Sequence, residues 1–413
     1  MIQCVAQSFL VACLCVLGSG CSNDSASQPE RDETRALTSE ELKLAAASES
    51  FGFRLLKEAV AAEDEANVLL SPVSVHLAVS MAYNGAVGPT KNAMEASLEL
   101  YGLSESELCE GFENLMGLLT NKDSSTTMRI ANSIWYRTDF SVKNAFLETN
   151  RQYFKAAVHA ADFDNPAAAR RMNDWVSNAT NAKITEIVRS PIDPRTMMLL
   201  INAVYFNGTW STEFDAEKTA EAPFTLTDRS TVSVPMMYLE TSLPYAEDDL
   251  VQMVELPYGN GRFHMSLLLP KPGADMDSLL DILDVTQYRD WLGDLEPKMG
   301  EVYLPRFALS YRTSLNSVLA SLGMELAFDP SRADFSGIAD VDKLHISQVI
   351  HKTFIAVNEM GTEAAAATGI EVGITSVGPR GFVFRADHPF LFVIRETSGG
   401  GVIFAGVVRN PAD

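Results

Sequence analysis

Six histidines, five cysteines and 54 acidic side chains are the groups of this 413-residue chain that could hold a metal or move a proton. Their spacing suits neither task. No Cys/His set stands at metal-ligand spacing, and the P-loop, GxGxxG, HExxH and GxSxG patterns are all missing from the sequence. His345 and His351 lie in an apolar, strand-like stretch, where a hydrogen-bonded structural histidine is the simpler reading. No metal and no cofactor is expected. An esterase with a dispersed Ser-His-Asp site is the catalytic alternative that stays open, because such sites are recognised by geometry rather than by order in the chain.

The unusual segment is Glu359-Met360-Gly361-Thr362-Glu363-Ala364-Ala365-Ala366-Ala367-Thr368-Gly369, followed by Ile370 to Pro379. Four alanines suit a helix, yet the residues after Thr368 are β-branched and interrupted by glycine, so no local preference governs the whole stretch. Such conflict between levels marks functional segments. With period two, Thr362, Ala364, Ala366, Thr368, Ile370, Val372 and Ile374 share an uncharged face, and Glu363 and Glu371 share the other. That is a strand with one buried and one wet face, about 43 Å long at roughly 3.3 Å per residue. Small residues near its start would let it enter between existing strands without overpacking.

Composition sets the frame for that strand. The chain is 46% hydrophobic and 21% charged, which suits globular packing and excludes collagen-like and disordered classes. Its net charge of −22 repels phosphate backbones, so nucleic acid is not expected as a partner. Residues 1–20 carry no charged side chain, and Phe9 to Leu17 form an apolar run too short to span a bilayer. They read as a secretion signal. The Gly20-Cys21 junction resembles a bacterial lipoprotein cleavage site, which would make Cys21 the lipid-bearing first residue; plain secretion is the alternative. Any membrane contact is expected through Cys21 alone. Only Cys109 remains in the folded part, so no internal disulfide can form. Three regions follow: a signal peptide at 1–20, a polar tether at 21–47 and one folded domain at 48–413.

The elements that must position the segment are legible in part. Ser71-Pro72 starts a helix carrying Val75, Ala78, Val79 and Ala82 at helical spacing; Gly85 and Gly88 end it, and Thr90 can cap the next helix through Met94 and Leu98. A helix-rich stretch runs from Ala145 through Trp175 to Ile184. Met197 to Phe206 reads as a buried strand, as do Ser266 to Leu269, Phe382 to Phe384, Phe390 to Ile394 and Val402 to Val408, with Thr397 to Gly401 turning the last two into a hairpin. Helices crowd the first half and strands the second. The expected class is α+β with large mixed or antiparallel sheets.

The segment resembles the hinge and reactive-centre loop of serpins, and the resemblance extends over the chain from about residue 48. Asn67-Val68-Leu69-Leu70-Ser71-Pro72-Val73-Ser74, Gly85-Ala86-Val87-Gly88-Pro89-Thr90 and Asn202-Ala203-Val204-Tyr205-Phe206-Asn207-Gly208-Thr209-Trp210 are similar to motifs of that family, in order. So are Leu322-Gly323-Met324, Ala333-Asp334-Phe335-Ser336-Gly337, His351-Lys352-Thr353-Phe354 and Asp387-His388-Pro389-Phe390-Leu391-Phe392-Val393-Ile394-Arg395. The resemblance implies a serpin fold with an exposed reactive-centre loop. It also implies a suicide inhibitor of serine proteases, and in some cases of cysteine proteases, acting as a monomer.

On that resemblance Glu359, Gly361, Thr362, Glu363, Ala364, Ala365, Ala366, Ala367 and Thr368 form the hinge and inserting loop. Ser71, Ser74, Asn202 and His351 form a polar cluster beneath strands that must part, and Trp210 sits where the loop first enters. The cleaved bond commonly falls fourteen residues after the hinge glycine, which from Gly361 gives Thr375-Ser376, with one step either side left open. Thr375 is small and uncharged, which fits an elastase-like or subtilisin-like pocket better than a trypsin-like one. No Lys or Arg occurs between Lys91 and Lys122, so activation by a glycosaminoglycan is not expected. A non-inhibitory serpin, a carrier or folding aid, is the alternative. The expected site is outside the cytoplasm, lipid-anchored at the cell envelope or secreted.

Overall fold

Thr38 opens the first helix through a reciprocal cap: its hydroxyl accepts the Glu41 amide at 3.3 Å, and the Glu41 carboxylate accepts the Thr38 amide at 2.9 Å. Helix α1 (Ser39–Ala61) follows and buries Leu44, Phe51, Leu55 and Leu56. The tether expected at 21–47 is therefore too long. Residues 39–47 belong to the helix, because a capped Leu/Ala run with an inward Leu44 overrides the polar residues among them. The computed structural model describes residues 37–63, 66–120, 125–341, 344–363 and 381–412. Residues 1–20 and Cys21 at one end, and Ala364, Ala365, Ala366, Ala367, Thr368, Thr375 and Ser376 in the loop, lie outside the described residues.

Helix α2 (Pro72–Tyr83) begins at its proline, as the sequence suggests, and all its residues are buried. Helix α3 (Gly88–Leu98) starts one turn earlier than a Thr90 cap would place it. Thr90 is buried in the first turn, where its hydroxyl accepts the Asp334 amide at 2.9 Å. Helices α4 (Glu105–Thr120), α5 (Asn144–Tyr153) and α6 (Ala167–Ala179) complete the helical half, and α7 (Met276–Ile282) and α8 (Val285–Gly293) come later. Within the stretch read as helix-rich, Ala157–Ala161 is instead a strand, paired in parallel with Ser133–Arg137.

The strands run in chain order β1 (Val68–Leu70), β2 (Thr126–Arg137), β3 (Ala157–Ala161), β4 (Met198–Thr209), β5 (Ala220–Thr225), β6 (Thr231–Glu247), β7 (Val251–Tyr258) and β8 (Phe263–Pro270). They continue with β9 (Glu296–Pro305), β10 (Phe307–Ser314), β11 (Val349–Asn358), β12 (Gly361–Thr362), β13 (Phe382–Arg385), β14 (Phe390–Glu396) and β15 (Gly401–Val408). Among the described residues they make two sheets. A six-stranded sheet has the order β10-β11-β12-β4-β2-β3, and a nine-stranded one the order β1-β15-β14-β8-β7-β6-β9-β13 with β5 on β6. Both mix parallel with antiparallel pairs. Helices with two large mixed sheets make this an α+β fold, the class expected from the sequence.

The core reflects the apolar runs of the sequence. Phe390, Leu391, Phe392, Val393 and Ile394 are all buried, so β14 is covered on both faces, and β15 beside it is nearly as enclosed. The described residues resume at Gly381, and β13 is a short edge strand parallel to β9. Two ring contacts hold it: Phe382 stacks on Tyr245 with centroids 4.0 Å apart, and the Arg385 guanidinium lies 3.6 Å from the Tyr303 ring.

Candidate functional site

β11 ends in a turn that Asn358 builds from its own side chain. Its Oδ1 accepts the amides of Met360 at 3.0 Å and Gly361 at 3.2 Å, which folds the chain back on itself. Gly361 then passes against β4 with φ +153°, and a Cβ there would lie 2.0 Å from the Gly208 carbonyl oxygen. Only glycine fits. The next residue, Thr362, pairs with Val357 on one side and Gly208 on the other, so β12 is a two-residue strand wedged between β11 and β4. The Glu363 amide extends the wedge by donating to the Ala356 carbonyl at 2.7 Å.

An aromatic platform supports this wedge. Trp210 stacks on Tyr258 at 4.3 Å and 19°, its indole N–H donates to the Asn358 carbonyl at 3.0 Å, and its amide donates to the Met360 carbonyl at 2.8 Å. The Tyr258 and Thr362 hydroxyls are 2.5 Å apart, both buried. At the turn, burial opposes ionisation of Glu359, but bonds from Arg306 and from the Thr219 hydroxyl at 2.8 Å outweigh it and hold the carboxyl below its ordinary range. The structure thus brings Trp210, Glu359, Gly361 and Thr362 together.

Glu363 departs from the pattern. Its face of the strand was read as wet, yet its side chain is 1% exposed. The segment after α6 covers the sheet at this point, and Lys183 of that segment stands 3.8 Å from the carboxylate.

Lower in the sheet β4 and β11 meet directly, in parallel, over Leu200–Ala203 and Val349–Lys352. Here His351 stands opposite Asn202, and Asn202 opposite Asn132. The Asn202 side-chain amide donates to Asn132 Oδ1 at 2.6 Å, and Asn132 passes the chain on to the Phe154 carbonyl at 3.0 Å. His351 Nε2 accepts the Ser71 amide at 3.1 Å, which fixes a neutral ring; burial pushes its pKa down to about 3. The Thr353 hydroxyl donates to the Leu69 carbonyl at 2.8 Å. The hydroxyls of Ser71 and Ser74 and Asn202 Oδ1 are buried without a hydrogen-bond partner among the described residues. Ser71, Asn202 and His351 therefore form a polar island between α2 and the sheet, beside Val75, Val79, Leu200 and Ile350, and Ser74 follows in the first turn of α2, its amide on the Ser71 carbonyl at 3.1 Å.

Asn132, Tyr258, Asn358, Thr219, Arg306 and Thr353 belong to these two groups and were not singled out from the sequence. Asn358 stands directly before the hinge and could have been read as a turn residue. Thr353 lies five residues before Asn358 in the same strand, the others lie far from the hinge in the chain, and a single polar residue carries no positional signal. Replacing Asn132 with Ala should destabilise the protein by about 1–3 kcal/mol, because the buried Asn202 amide loses its acceptor. A urea titration of Asn132→Ala, Asn202→Ala and the double variant would show it, with the double variant losing less than the sum of the two.

Among the described residues no group of three His, Cys, Asp or Glu could hold a metal ion, and no helix is long and apolar enough to cross a membrane. Cys109 is a buried free thiol whose pKa burial pushes up to about 11, which makes it unreactive.

A family model described as serpin (serine protease inhibitor) matches residues 46–411. Iripin-2 of Ixodes ricinus is 37% identical over 377 residues, which cover 90% of this chain and 94% of that protein. The thermophilic serpin tengpin in its native state superposes with a TM-score of 0.83 at 30% identity, covering 91% of this chain and 95% of that one. Human thyroxine-binding globulin, solved with its hormone, superposes with a TM-score of 0.81 at 26% identity, covering 90% of this chain and 99% of that one. The hinge between two parted strands, the polar island beneath them and a match along nearly all of the folded unit have one reading: the chain belongs to the serpin family, whose members are mostly protease inhibitors rather than catalysts.

Proposed function

We propose that this chain is a suicide-substrate inhibitor of serine proteases, cleaved between Thr375 and Ser376, which traps the acyl-enzyme by drawing its loop into the six-stranded sheet. The observation that carries the reading is the seating of Gly361 and Thr362 between β4 and β11. Extending that antiparallel register sets Ala364 against Phe206 and Ile355, Ala366 against Val204 and Thr353, and Thr368 against Asn202 and His351. To go that far the direct pairing of Leu200–Ala203 with Val349–Lys352 must open, and the polar island lies beneath it. Thr368 would bring a hydroxyl to a place where Ser71, Ser74 and Asn202 have unpaired oxygens. Small Ala364 to Ala367 would slide past without steric cost.

The targets on this reading are elastase-like or subtilisin-like proteases, with cysteine proteases as secondary partners, met by a monomer outside the cytoplasm. Residues 1–20 would direct export, and Cys21 would carry a lipid anchor at the cell envelope unless the chain is secreted. Mixing the protein with pancreatic elastase or subtilisin and running a denaturing gel tests the reading: a covalent complex supports it, and clean cleavage without complex removes it. The second reading, a non-inhibitory serpin, has support from thyroxine-binding globulin, a carrier of the same fold, and predicts the cleaved band alone. Thr375→Arg should move the preference to trypsin by more than about 100-fold in association rate, since a trypsin pocket pairs its buried Asp with Arg or Lys. Equal rates for the two proteins would place the cut elsewhere.

A further inference from the structure

Glu363 is the last described residue of the hinge, and the insertion proposed above gives its carboxyl no role. Thr362 turns its hydroxyl inward to Tyr258, so alternation turns Glu363 to the opposite face of the sheet. Its backbone is well held: the amide donates to Ala356 at 2.7 Å and the carbonyl accepts the Asn207 side chain at 2.5 Å. Its side chain is not. The residue has φ +55°, a strained value for glutamate, and both carboxylate oxygens are buried without a hydrogen-bond partner among the described residues.

The charged and titratable groups around it come from each element packed there. The segment after α6 supplies Lys183, whose Nζ is 3.8 Å away, 43% exposed, and over the Phe354 ring at 5.3 Å. β4 supplies the Tyr205 hydroxyl. On β2 Arg129 is held by Asn181 at 3.1 Å, and on β11 the Lys352 ammonium is tied to the Glu186 carbonyl at 2.7 Å. Of these, Lys183 and Tyr205 favour the carboxylate, and burial outweighs them.

We propose that Glu363 is a proton-operated latch on the hinge: as the neutral acid it lets Gly361–Glu363 stay seated between β4 and β11, and as the carboxylate it drives them out. The sign follows from linkage. Burial raises the carboxyl pKa in the seated state above its ordinary value of 4.5, so the seated state binds the proton more tightly. Seating is favoured in full below that ordinary value and weakens as pH rises through the raised one. Acidity would thus hold Gly361–Glu363 between β4 and β11, and neutrality would release them. The latch concerns only where the hinge rests, and it holds whether or not the loop traps a protease.

Hydrogen–deuterium exchange of the full chain at pH 4.5, 5.5, 6.5 and 7.5, corrected for intrinsic exchange, tests it on peptides covering residues 357–363. Protection of the Thr362 and Glu363 amides should fall severalfold from the acid to the neutral end of this range, the direction that linkage requires of a group whose pKa is raised in the seated state. Glu363→Gln should keep its protection throughout. Lys183→Met should move the fall to higher pH, since the carboxylate loses its nearest cation. Protection that is flat with pH in the wild type overturns the proposal, as does a Glu363→Gln variant that loses protection in parallel with it. A parallel loss in the buried strand β14 would mark general unfolding and overturn it too.

Discussion

Nicking the loop between Thr375 and Ser376 is expected to raise the melting temperature by roughly 15–25 °C. A new central strand adds about a dozen ladder hydrogen bonds at roughly 0.5–1.5 kcal/mol net each and buries an apolar face, which together supply on the order of 10–20 kcal/mol. Unfolding entropy near about 2.1 cal/mol/K per residue, summed over the folded unit, converts that gain into the stated shift. The chain is fastened at the Asn358 turn and again at β13, so on the proposed reading a kinetic barrier would hold the intact form before cleavage. Calorimetry before and after limited digestion reads the effect directly. An unchanged melting temperature would mean that no strand was gained, and the inhibitory mechanism would fail with it.

The second large effect belongs to Thr362. Its side chain is fully buried and its hydroxyl meets Tyr258. Arginine there would have to carry a charge into the gap between β4 and β11 at the first step of insertion, at a cost of several kcal/mol. Thr362→Arg should still be cut by the target protease, while covalent complex on a denaturing gel falls at least about tenfold. On the proposed reading the variant would be a substrate only. Thr362→Ser keeps the hydroxyl and should retain most of the complex, which separates the burial of charge from any change at residue 362. Complex formation by Thr362→Arg at the wild-type level would show that insertion does not begin at this residue.

The sequence showed most of this fold where one signal dominated. Pro72 at the start of an all-apolar helix, the buried run of β4, and the Thr397–Gly401 turn between two buried strands are each set by local chemistry, and each stands where it was expected. β3 was missed because Ala157–Ala161 is a short edge strand whose pairing with β2 is decided by tertiary contact rather than by its own residues. The start of the domain was misplaced because polar residues in Ser39–Lys43 hid a capping box. At the site, Glu359, Gly361 and Thr362 could be read as one group since they are nearly consecutive. The groups that hold them could not. Asn132, Tyr258, Thr219 and Arg306 come from four separate strands and loops, and the wet face assigned to Glu363 ignored a cover supplied by the segment after α6.

The far end of the loop has its own consequence. Phe382 laid flat on Tyr245 and Arg385 laid over Tyr303 rivet a four-residue strip to the rim of the larger sheet. If the loop inserts as proposed, an uncut molecule would have to tear that strip away for full insertion, whereas a cut one would leave it in place. On the proposed inhibitory reading, how long the protein stays armed in storage would depend on these ring contacts and on the β13–β9 ladder, at the opposite end of the bait from the spring.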